Sequence, residues 1–213
     1  MKYKCLLFDL DGTLTDSGEG IINSVVYSLE KLGLPVPPMS ELRKFVGPPL
    51  KDSYARVGVP EDKIDEAIIN YRVRYDTQGG KFENLVYDGI EELLERLKAD
   101  GFRLFVATSK PEPLAREVLE HFNLTHWFEE IAGASMDGVR LTKAQVIQYL
   151  LDQIGELDDA LMIGDTEYDV IGARNLGIPC VGVTWGYGLR ESLERECAVH
   201  IVDTPMELYN WLT

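Results

Sequence analysis

Short apolar runs that alternate with helix-period stretches constrain the fold of this sequence more than any other feature. The runs at residues 5–8, 103–107, 160–163 and 180–183 indicate buried parallel strands, with shorter candidates at 130–132 and 200–202. The helix-period stretches lie at 90–98, 114–122, 144–151 and 170–176. Strands and helices in this order predict an α/β fold with a doubly wound, Rossmann-like parallel sheet and right-handed crossovers.

The connection after the first strand is far longer than one crossover requires. Residues 61–75 form a helical stretch within it, and proline clusters at 35–38 and 48–49 end elements and fix turns. We therefore predict a helical cap domain at 16–83, an α/β core at 1–15 and 84–213, and a hinge at Gly79-Gly80. One amphipathic helix of the cap is marked by the apolar residues Ile21, Ile22, Val25, Val26, Leu29 and Leu32.

The charge balance argues against polyanionic partners. The formal net charge is −15, whereas binding to nucleic acid or to an anionic membrane requires a cationic face. The first residues lead directly into a strand pattern, so no signal peptide is expected. No apolar stretch approaches the ~18 residues that span a bilayer. We expect a cytoplasmic protein that acts on a small molecule; the oligomeric state is not predicted.

Polar residues follow the predicted strands at the points where the strands end. The first strand is followed by Asp9-Leu10-Asp11-Gly12-Thr13, and the second by Thr108-Ser109-Lys110. A later strand leads into Gly164-Asp165-Thr166, with Asp169 four residues after Asp165, and Lys143 opens a helix. Because ligands of open parallel sheets bind beyond the carboxyl ends of the strands, we expect these residues to converge at one edge.

The residue types in this set indicate phosphoryl chemistry. Carboxylates packed together repel each other unless a cation joins them, and ligation by oxygen alone favours Mg²⁺. Lys143 and Thr108 could hold phosphate oxygens, Asp9 could attack phosphorus, and Asp11 could transfer protons. Taken singly, each aspartate is better explained as a helix cap or part of a solvated turn, and Lys143 as a surface lysine. The combination, however, indicates a functional site.

With these motifs, the chain resembles the haloacid dehalogenase-like phosphatase superfamily, in the subgroup with a helical cap inserted after the first strand. The resemblance covers essentially the whole chain. It implies that Asp9 is the nucleophile and a metal ligand, and that Asp11 is the acid/base whose backbone carbonyl also binds Mg²⁺. It further implies that Thr108 and Lys143 bind phosphate, that Asp165 completes the metal site, and that Asp169 supports it. We add Gly12, Thr13 and Ser109 as candidate phosphate-binding residues.

Asp11 decides between branches of the superfamily. The resemblance implies that dehalogenases lack an aspartate two residues after the nucleophile and that ion-pumping ATPases carry threonine there. Asp11 could activate water against an aspartyl phosphate, which favours hydrolysis or phosphate transfer to a hydroxyl. We therefore predict a Mg²⁺-dependent phosphomonoester hydrolase that acts on a small phosphorylated metabolite.

Specificity is expected in the cap, because the core residues contact only the phosphate. The segment Arg43-Lys44-Phe45-Val46-Gly47-Pro48-Pro49-Leu50 combines cations with a rigid turn. We predict that Arg43 and Gly47 contact the substrate, although Arg43 and Lys44 could equally be solvated. The segment is similar to 5′-nucleotidase-like members, which favours a nucleoside 5′-monophosphate. Phosphoglycolate phosphatase is the alternative.

Two other functional classes remain open. A sugar-phosphate mutase of the same architecture would interconvert phosphosugar isomers and release little phosphate. A non-enzymatic phospho-acceptor domain, like a receiver, also places an aspartate, a threonine and a lysine on a doubly wound sheet. Receivers, however, are about half this length and lack both the cap and the pattern Gly164-Asp165…Asp169, so that class is the more remote.

Overall fold

The computed structural model describes residues 2–155 and 159–213, and the chain divides into two compact units. The core unit comprises Met1–Thr15 and Val86–Thr213, and the helical unit comprises Asp16–Leu85. The strands, in chain order, are β1 (Cys5–Phe8), β2 (Thr15–Asp16), β3 (Leu85–Val86), β4 (Arg103–Pro111), β5 (Glu130–Ala134), β6 (Ala160–Gly164), β7 (Cys180–Val183) and β8 (His200–Val202). The α-helices are α1 (Gly18–Lys31), α2 (Met39–Leu42), α3 (Leu50–Arg56), α4 (Glu61–Arg72), α5 (Ile90–Ala99), α6 (Glu112–His121), α7 (Lys143–Ile154), α8 (Glu167–Arg174), α9 (Arg190–Arg195) and α10 (Pro205–Leu212).

The core unit is built on a parallel sheet. Within the described residues, its strand order is β5-β4-β1-β6-β7-β8, so β1 lies between the strands that follow it much later in the chain. Phe8, the last residue of β1, aligns with Val106 of β4 and Ile163 of β6. The residues that follow these three positions therefore lie at the same edge of the sheet. The predicted doubly wound α/β fold is confirmed.

Helices cover both faces of this sheet, and β1 contributes side chains to both faces. Leu6 and Phe8 belong to one apolar cluster, whereas Cys5 and Leu7 belong to the other. This alternation follows from the two-residue period of a strand. Helix α5 packs on the first cluster and α7 on the second. Burial of a single Leu or Ile side chain contributes about 1.5–3 kcal/mol, so both faces stabilise the strand whose end carries Asp9.

Strand β4 is longer than the apolar run that predicted it. It continues from Ala107 to Pro111, and its register against β5 is irregular between these two residues. Pro111 aligns with Ala134, so the pairing resumes after the irregularity. The polar run Thr108-Ser109-Lys110 gave no strand signal, because its pairing depends on β5 and not on its own hydrophobicity.

The helical unit has its own small core. Helix α1 packs against α4, and the Ser28 hydroxyl donates to the Ala67 carbonyl at 2.7 Å. The predicted helix at 61–75 is α-helical only to Arg72, and a π-helical turn follows at Val73–Thr77. The 3₁₀ turn Arg43–Phe45 is anchored by Phe45, whose ring meets the buried Tyr54 ring edge-on at 5.2 Å.

Over residues 2–155 and 159–213, no helix combines the length and the apolar character that crossing a membrane requires. The longest described helix, α1, has 14 residues and carries buried serines on the face that packs inward. Its amphipathic pattern is therefore explained by packing within the helical unit.

Candidate active site

Asp9 leaves β1 at the carboxyl edge of the sheet. Its backbone N–H donates to the Ile163 carbonyl at 2.9 Å, which holds the residue between two central strands. Its carboxylate accepts from the Leu10 N–H at 2.7 Å, and the residue is only 8% exposed. Burial raises the pKa of Asp9 to about 7, against the opposing effect of Lys143. Asp9 is thus a buried carboxylate whose charge depends on its neighbours.

Asp11 lies in the tight turn that follows Asp9. The Gly12 N–H donates to the Thr15 carbonyl at 2.8 Å, and Gly12 adopts a φ of 87°, which favours glycine. A Cβ at Gly12 would also overlap the Asp165 carboxylate. The Asp11 carboxylate accepts from the Lys110 ammonium at 3.0 and 3.1 Å, one distance to each oxygen. The turn therefore brings Asp11 close to Asp9 and supplies it with a cationic partner.

Thr108 and Ser109 lie on the irregular part of β4. Thr108 is 1% exposed, and its side chain hydrogen-bonds to the Asp9 carboxylate. Its hydroxyl oxygen also accepts from the Lys110 N–H at 3.2 Å. Ser109 is half-buried. The hydroxyl of Thr108 is thus placed beside Asp9 by the local bend of the strand.

Lys143 is buried and its ammonium has three partners. It contacts the Asp9 carboxylate at 2.9 Å and the Asp169 carboxylate at 2.8 Å, and it donates to the Ala107 carbonyl at 3.0 Å. Burial lowers the pKa of Lys143, but the charges of Asp169 and Asp9 outweigh this effect and raise it overall. The side chain is therefore a permanent cation at the centre of the cluster.

The position of Lys143 follows from local structure. Thr142 caps the N-terminus of α7 in a capping box with Gln145, so the helix begins at Lys143. Gly172 of α8 leaves room for the lysine stem, because a Cβ there would approach the Lys143 Cβ to 2.6 Å. Two helices thus fix the direction of one side chain.

Asp165 follows β6 and is fully buried. Its carboxylate accepts from the backbone N–H groups of Tyr187 at 2.8 Å and Gly188 at 3.4 Å, and from the Thr13 hydroxyl at 3.4 Å. Burial, followed by the charges of Asp169 and Asp9, raises the pKa of Asp165 to about 8. The backbone donors fix its orientation but do not neutralise it.

Asp169 combines a structural and an electrostatic role. One carboxylate oxygen caps α8 by accepting from the Thr166 N–H at 3.0 Å and the Thr166 hydroxyl at 2.8 Å. The other oxygen contacts Lys143. Gly164 permits this arrangement, because a Cβ at that position would overlap the Asp169 carboxylate. Asp169 thereby ties α8 to the lysine.

The donor set fits a hard divalent cation. Carboxylate oxygens of Asp9, Asp165 and Asp169 all lie within 4.8 Å of one another, and all three residues are buried. When all three carboxylates are deprotonated, the single positive charge of Lys143 balances only one of their three negative charges. Burial of like charges is costly, and a divalent ion bound by oxygen ligands would offset that cost.

Most of the predicted site residues come together in the core unit. Asp9, Asp11, Gly12, Thr13 and Thr108 share one edge with the residues Ser109, Lys143, Asp165 and Asp169. Arg43 and Gly47 belong to the helical unit, where both are exposed. Their contact with substrate stays a prediction.

The sequence reasoning missed two features of this edge. Lys110 belongs to the polar run that follows the second predicted strand, but its residue type alone indicates no role there. The run Trp185-Gly186-Tyr187-Gly188 follows β7, and the backbone N–H groups of Tyr187 and Gly188 donate to the Asp165 carboxylate. The available signal was position alone, because the first segment follows the apolar run of β4 and the second follows β7 of the same sheet.

Comparison with known proteins agrees with this geometry. A family model described as haloacid dehalogenase-like hydrolase matches residues 6–183. A 5′-nucleotidase of Pseudomonas aeruginosa is 43% identical over 202 residues, which are 94% of this chain and 91% of that protein. A protein of Mycobacterium tuberculosis named tyrosine-protein kinase PtkA is 44% identical over 191 residues, which are 89% of this chain and 65% of that protein.

A solved structure supports the same assignment. The crystal structure of a predicted phosphatase from Clostridium acetobutylicum is 49% identical and superposes with a TM-score of 0.92, covering 99% of this chain and 98% of that one. The chain therefore belongs to the haloacid dehalogenase-like hydrolase family and is an enzyme of its phosphatase class.

Proposed function

We propose that this enzyme hydrolyses phosphomonoesters through a covalent phosphate on Asp9, with Mg²⁺ as cofactor. The observation that carries the proposal is the Asp9 carboxylate, which lies 2.9 Å from the Lys143 ammonium within the cluster of Asp165 and Asp169. A nucleophilic carboxylate, a buried cation and a divalent-ion site are the groups that phosphoryl transfer requires.

The residues that would hold Mg²⁺ are the carboxylates of Asp9 and Asp165 and the backbone carbonyl of Asp11. Asp169 would support them through its contact with Lys143. Magnesium bound there would offset the charge on the transferring phosphoryl group. Thr13 supports the site as well, because its hydroxyl donates to Asp165.

In the first step, an Asp9 oxygen forms a bond to phosphorus while the bond between phosphorus and the leaving oxygen breaks. Asp11, in its protonated form, donates its proton to the leaving oxygen, so the alcohol departs neutral. Thr108 and Lys143 already contact Asp9, so a phosphoryl group attached to Asp9 would lie beside both. Ser109 and the amide of Gly12 are further candidate donors to its oxygens.

In the second step, water attacks the phosphorus of the aspartyl phosphate. The Asp11 carboxylate accepts one proton of that water, and the bond between phosphorus and Asp9 breaks. Inorganic phosphate leaves, Asp9 is again a carboxylate, and Asp11 is again protonated. The two steps sum to hydrolysis of one phosphomonoester by one water.

A nucleoside 5′-monophosphate is the substrate class that we favour. It is supported by the 5′-nucleotidase relative and by the Gly47-Pro48-Pro49 turn of the helical unit. Phosphoglycolate, a small ester that carries a carboxylate in addition to its phosphate, is the alternative within the same reaction. The two substrates differ in the size of the leaving group and in its negative charge.

Transfer of the phosphate to an acceptor hydroxyl is the second candidate activity. It is supported by the relative named a tyrosine-protein kinase, which is as similar to this chain as the 5′-nucleotidase is. Transfer to a phosphosugar, as in a mutase, is the other form of this chemistry. Either form would leave a phosphorylated acceptor in place of free phosphate.

The experiment is an assay of phosphate release with Mg²⁺ on nucleoside monophosphates, phosphoglycolate, sugar phosphates and 4-nitrophenyl phosphate. We expect Asp9→Asn to abolish release, and EDTA to abolish it reversibly. Asp88→Asn is the matched control, because Asp88 is exposed on the same unit. Full activity of Asp9→Asn would exclude Asp9 as the nucleophile. Recovery of the phosphate on an added acceptor, in place of free phosphate, would favour transfer.

A further inference from the structure

We propose that Lys110 is the positioning residue of Asp11, which it holds in the orientation for proton transfer to and from the substrate. This inference rests on the proposed function of Asp11 as acid and base. It assigns to the site a second lysine, distinct from Lys143 in both partner and task.

The contact between Lys110 and Asp11 is made at two points. The ammonium lies 3.1 Å from Oδ1 and 3.0 Å from Oδ2 of Asp11. The Lys110 side chain is 4% exposed and that of Asp11 is 15% exposed. Because one cation contacts both oxygens, it restrains the rotation of the carboxylate as well as its location.

The backbone of Asp11 is restrained independently. The turn after Asp9 is closed by the hydrogen bond from the Gly12 N–H to the Thr15 carbonyl, and Asp11 itself makes a bridge to Thr15. The remaining freedom of Asp11 lies in its side-chain torsions. The Lys110 ammonium acts on these torsions, so its removal is expected to loosen the acid/base group and not the turn.

The irregular segment of β4 serves this placement. Between Ala107 and Pro111 the register against β5 shifts, and the Lys110 N–H donates to the Thr108 hydroxyl. Gly133 of β5 allows the close approach, because a Cβ there would lie 2.6 Å from the Lys110 carbonyl oxygen. The same bend therefore places Thr108 beside Asp9 and Lys110 beside Asp11.

The two lysines of the site have separate partners. Lys143 contacts Asp9 and Asp169, whereas the ammonium of Lys110 contacts Asp11. A buried ion pair is weak evidence for stability, because desolvation offsets much of the attraction. The pair at Asp11 is therefore better explained by orientation. Lys143 contacts the residue proposed to carry the phosphoryl group, and Lys110 orients the residue proposed to transfer the proton.

The role of Lys110 is tested by how kcat/KM depends on the basicity of the leaving oxygen. With Mg²⁺ present, kcat/KM is measured for 2,4-dinitrophenyl, 4-nitrophenyl and phenyl phosphate and for an alkyl phosphate, in order of increasing basicity of the leaving oxygen. The most acidic phenol departs without a proton, whereas the alcohol requires one. We expect Lys110→Met to lower kcat/KM about 10- to 100-fold for the alkyl ester and less than about 3-fold for the dinitrophenyl ester, within the range of general acid catalysis.

A double-mutant cycle with Asp11→Asn shows whether Lys110 acts through Asp11. We expect Lys110→Met to have little further effect in the Asn background. Lys110→Arg, which keeps the cation, should restore most of the alkyl ester activity. It also preserves the test if the Met variant fails to fold, which thermal melting would reveal. Lys98→Met is the control, because Lys98 lies on α5 of the same unit.

Three outcomes would overturn the inference. A loss of equal size across the leaving groups would show that Lys110 binds the phosphoryl group itself. An unchanged kcat/KM of Lys110→Met for every ester would show that Asp11 is positioned without it. An additive effect in the double mutant would show that the two residues act separately. If the wild-type enzyme releases no phosphate from any ester, the proposed function fails first and the inference fails with it.

Discussion

The edge of the core sheet and the segment Arg43–Gly47 of the helical unit differ in almost every physical respect. At the edge, Asp9, Asp165 and Lys143 are buried and held by partners at fixed distances. In the helical unit, Arg43 and Gly47 are exposed, and the segment is anchored through Phe45. At the edge, charged groups are buried at an unfavourable desolvation free energy, whereas the charged groups of the exposed segment avoid almost all of that penalty.

This difference separates the chemistry from the choice of substrate. Buried, mutually restrained groups provide an electrostatic environment that needs little reorganisation during phosphoryl transfer. Exposed groups on a short segment can vary without loss of the fold. We expect changes at the edge to affect every substrate, and changes in the segment to affect some substrates only.

Loss of the central cation should have the largest effect. Lys143→Met leaves the Asp9 and Asp169 carboxylates facing each other, so we expect activity to fall at least about 1,000-fold and the free energy of unfolding to fall by about 3–5 kcal/mol at pH 8. Urea denaturation and phosphate release measure the two effects. Lys98→Met, on the partly exposed face of α5, should change the free energy of unfolding by less than about 0.5 kcal/mol. A stable and active Lys143→Met variant would contradict the assignment of the chemistry to the buried edge of the sheet.

The charged cluster should make the effect of Mg²⁺ on stability depend on pH. In the absence of metal, Asp9 and Asp165 have pKa values of about 7 and about 8, raised from 3.8. The folded state thus retains protons that the unfolded state releases, so the contribution of these groups to stability falls as the pH rises from about 4 to about 8. Mg²⁺ requires the deprotonated carboxylates, so the rise in Tm on adding Mg²⁺ should be larger at pH 8 than at pH 6.

Differential scanning fluorimetry at both pH values measures this difference. Asp165→Asn is the matched variant, because it removes one of the two raised groups and one proposed ligand. We expect it to reduce the Mg²⁺-induced rise in Tm at pH 8. A rise of equal size at the two pH values in the wild-type protein would be evidence against the raised carboxylates as the Mg²⁺ site.

A methyl group behind Asp165 should have an intermediate effect. In Gly186→Ala, the new Cβ would overlap the Gly12 carbonyl and the Asp165 carboxylate. We expect a loss of about 1–3 kcal/mol in stability and a rise of about 10-fold in the Mg²⁺ concentration for half-maximal activity. Gly182→Ala is the control, because a Cβ there would meet the Leu193 side chain and not Asp165. An equal shift in both variants would point to general destabilisation.

The exposed cation of the helical unit should give the smallest effect. Arg43→Gln should leave the free energy of unfolding within about 0.5 kcal/mol of the wild type, since exposed positions contribute little. We expect kcat/KM to fall about 3- to 10-fold for a substrate with a second anionic group and to stay unchanged for 4-nitrophenyl phosphate. Lys63→Gln on α4 is the control. A uniform loss across substrates would remove the distinction between the two regions.

Much of the architecture was predictable from local pattern. The strands β1, β6 and β7 are apolar on both faces, so hydrophobicity alone marks them. The extension of β4 to Pro111 was not predictable, because Thr108, Ser109 and Lys110 are polar and pair only through β5. The end of α4 at Arg72 was likewise not predictable, because residues 73–77 continue the helical path as a π-helical turn.

The sequence predicted the residue types of the candidate site but not all of the contacts between them. Asp9, Asp165 and Lys143 were found because each follows a strand or opens a helix at a position where chemistry is expected. The partner of Asp11 lies 99 residues away, and the Tyr187 donor lies 22 residues from Asp165. No local pattern encodes such distances, because they depend on how β4 bends and on how the loop after β7 folds back.

The sequence by itself determined which elements form and which side chains follow them. Hydrophobic period sets strand and helix, and capping signals such as Thr142 and Gln145 set where a helix begins. Only the tertiary structure decided which carboxylate each cation serves: Lys143 contacts Asp9 and Asp169, and Lys110 contacts Asp11. The physical reason is that local pattern acts over a few residues, whereas the field in a buried site is set by groups that long-range packing brings within 3 Å of one another.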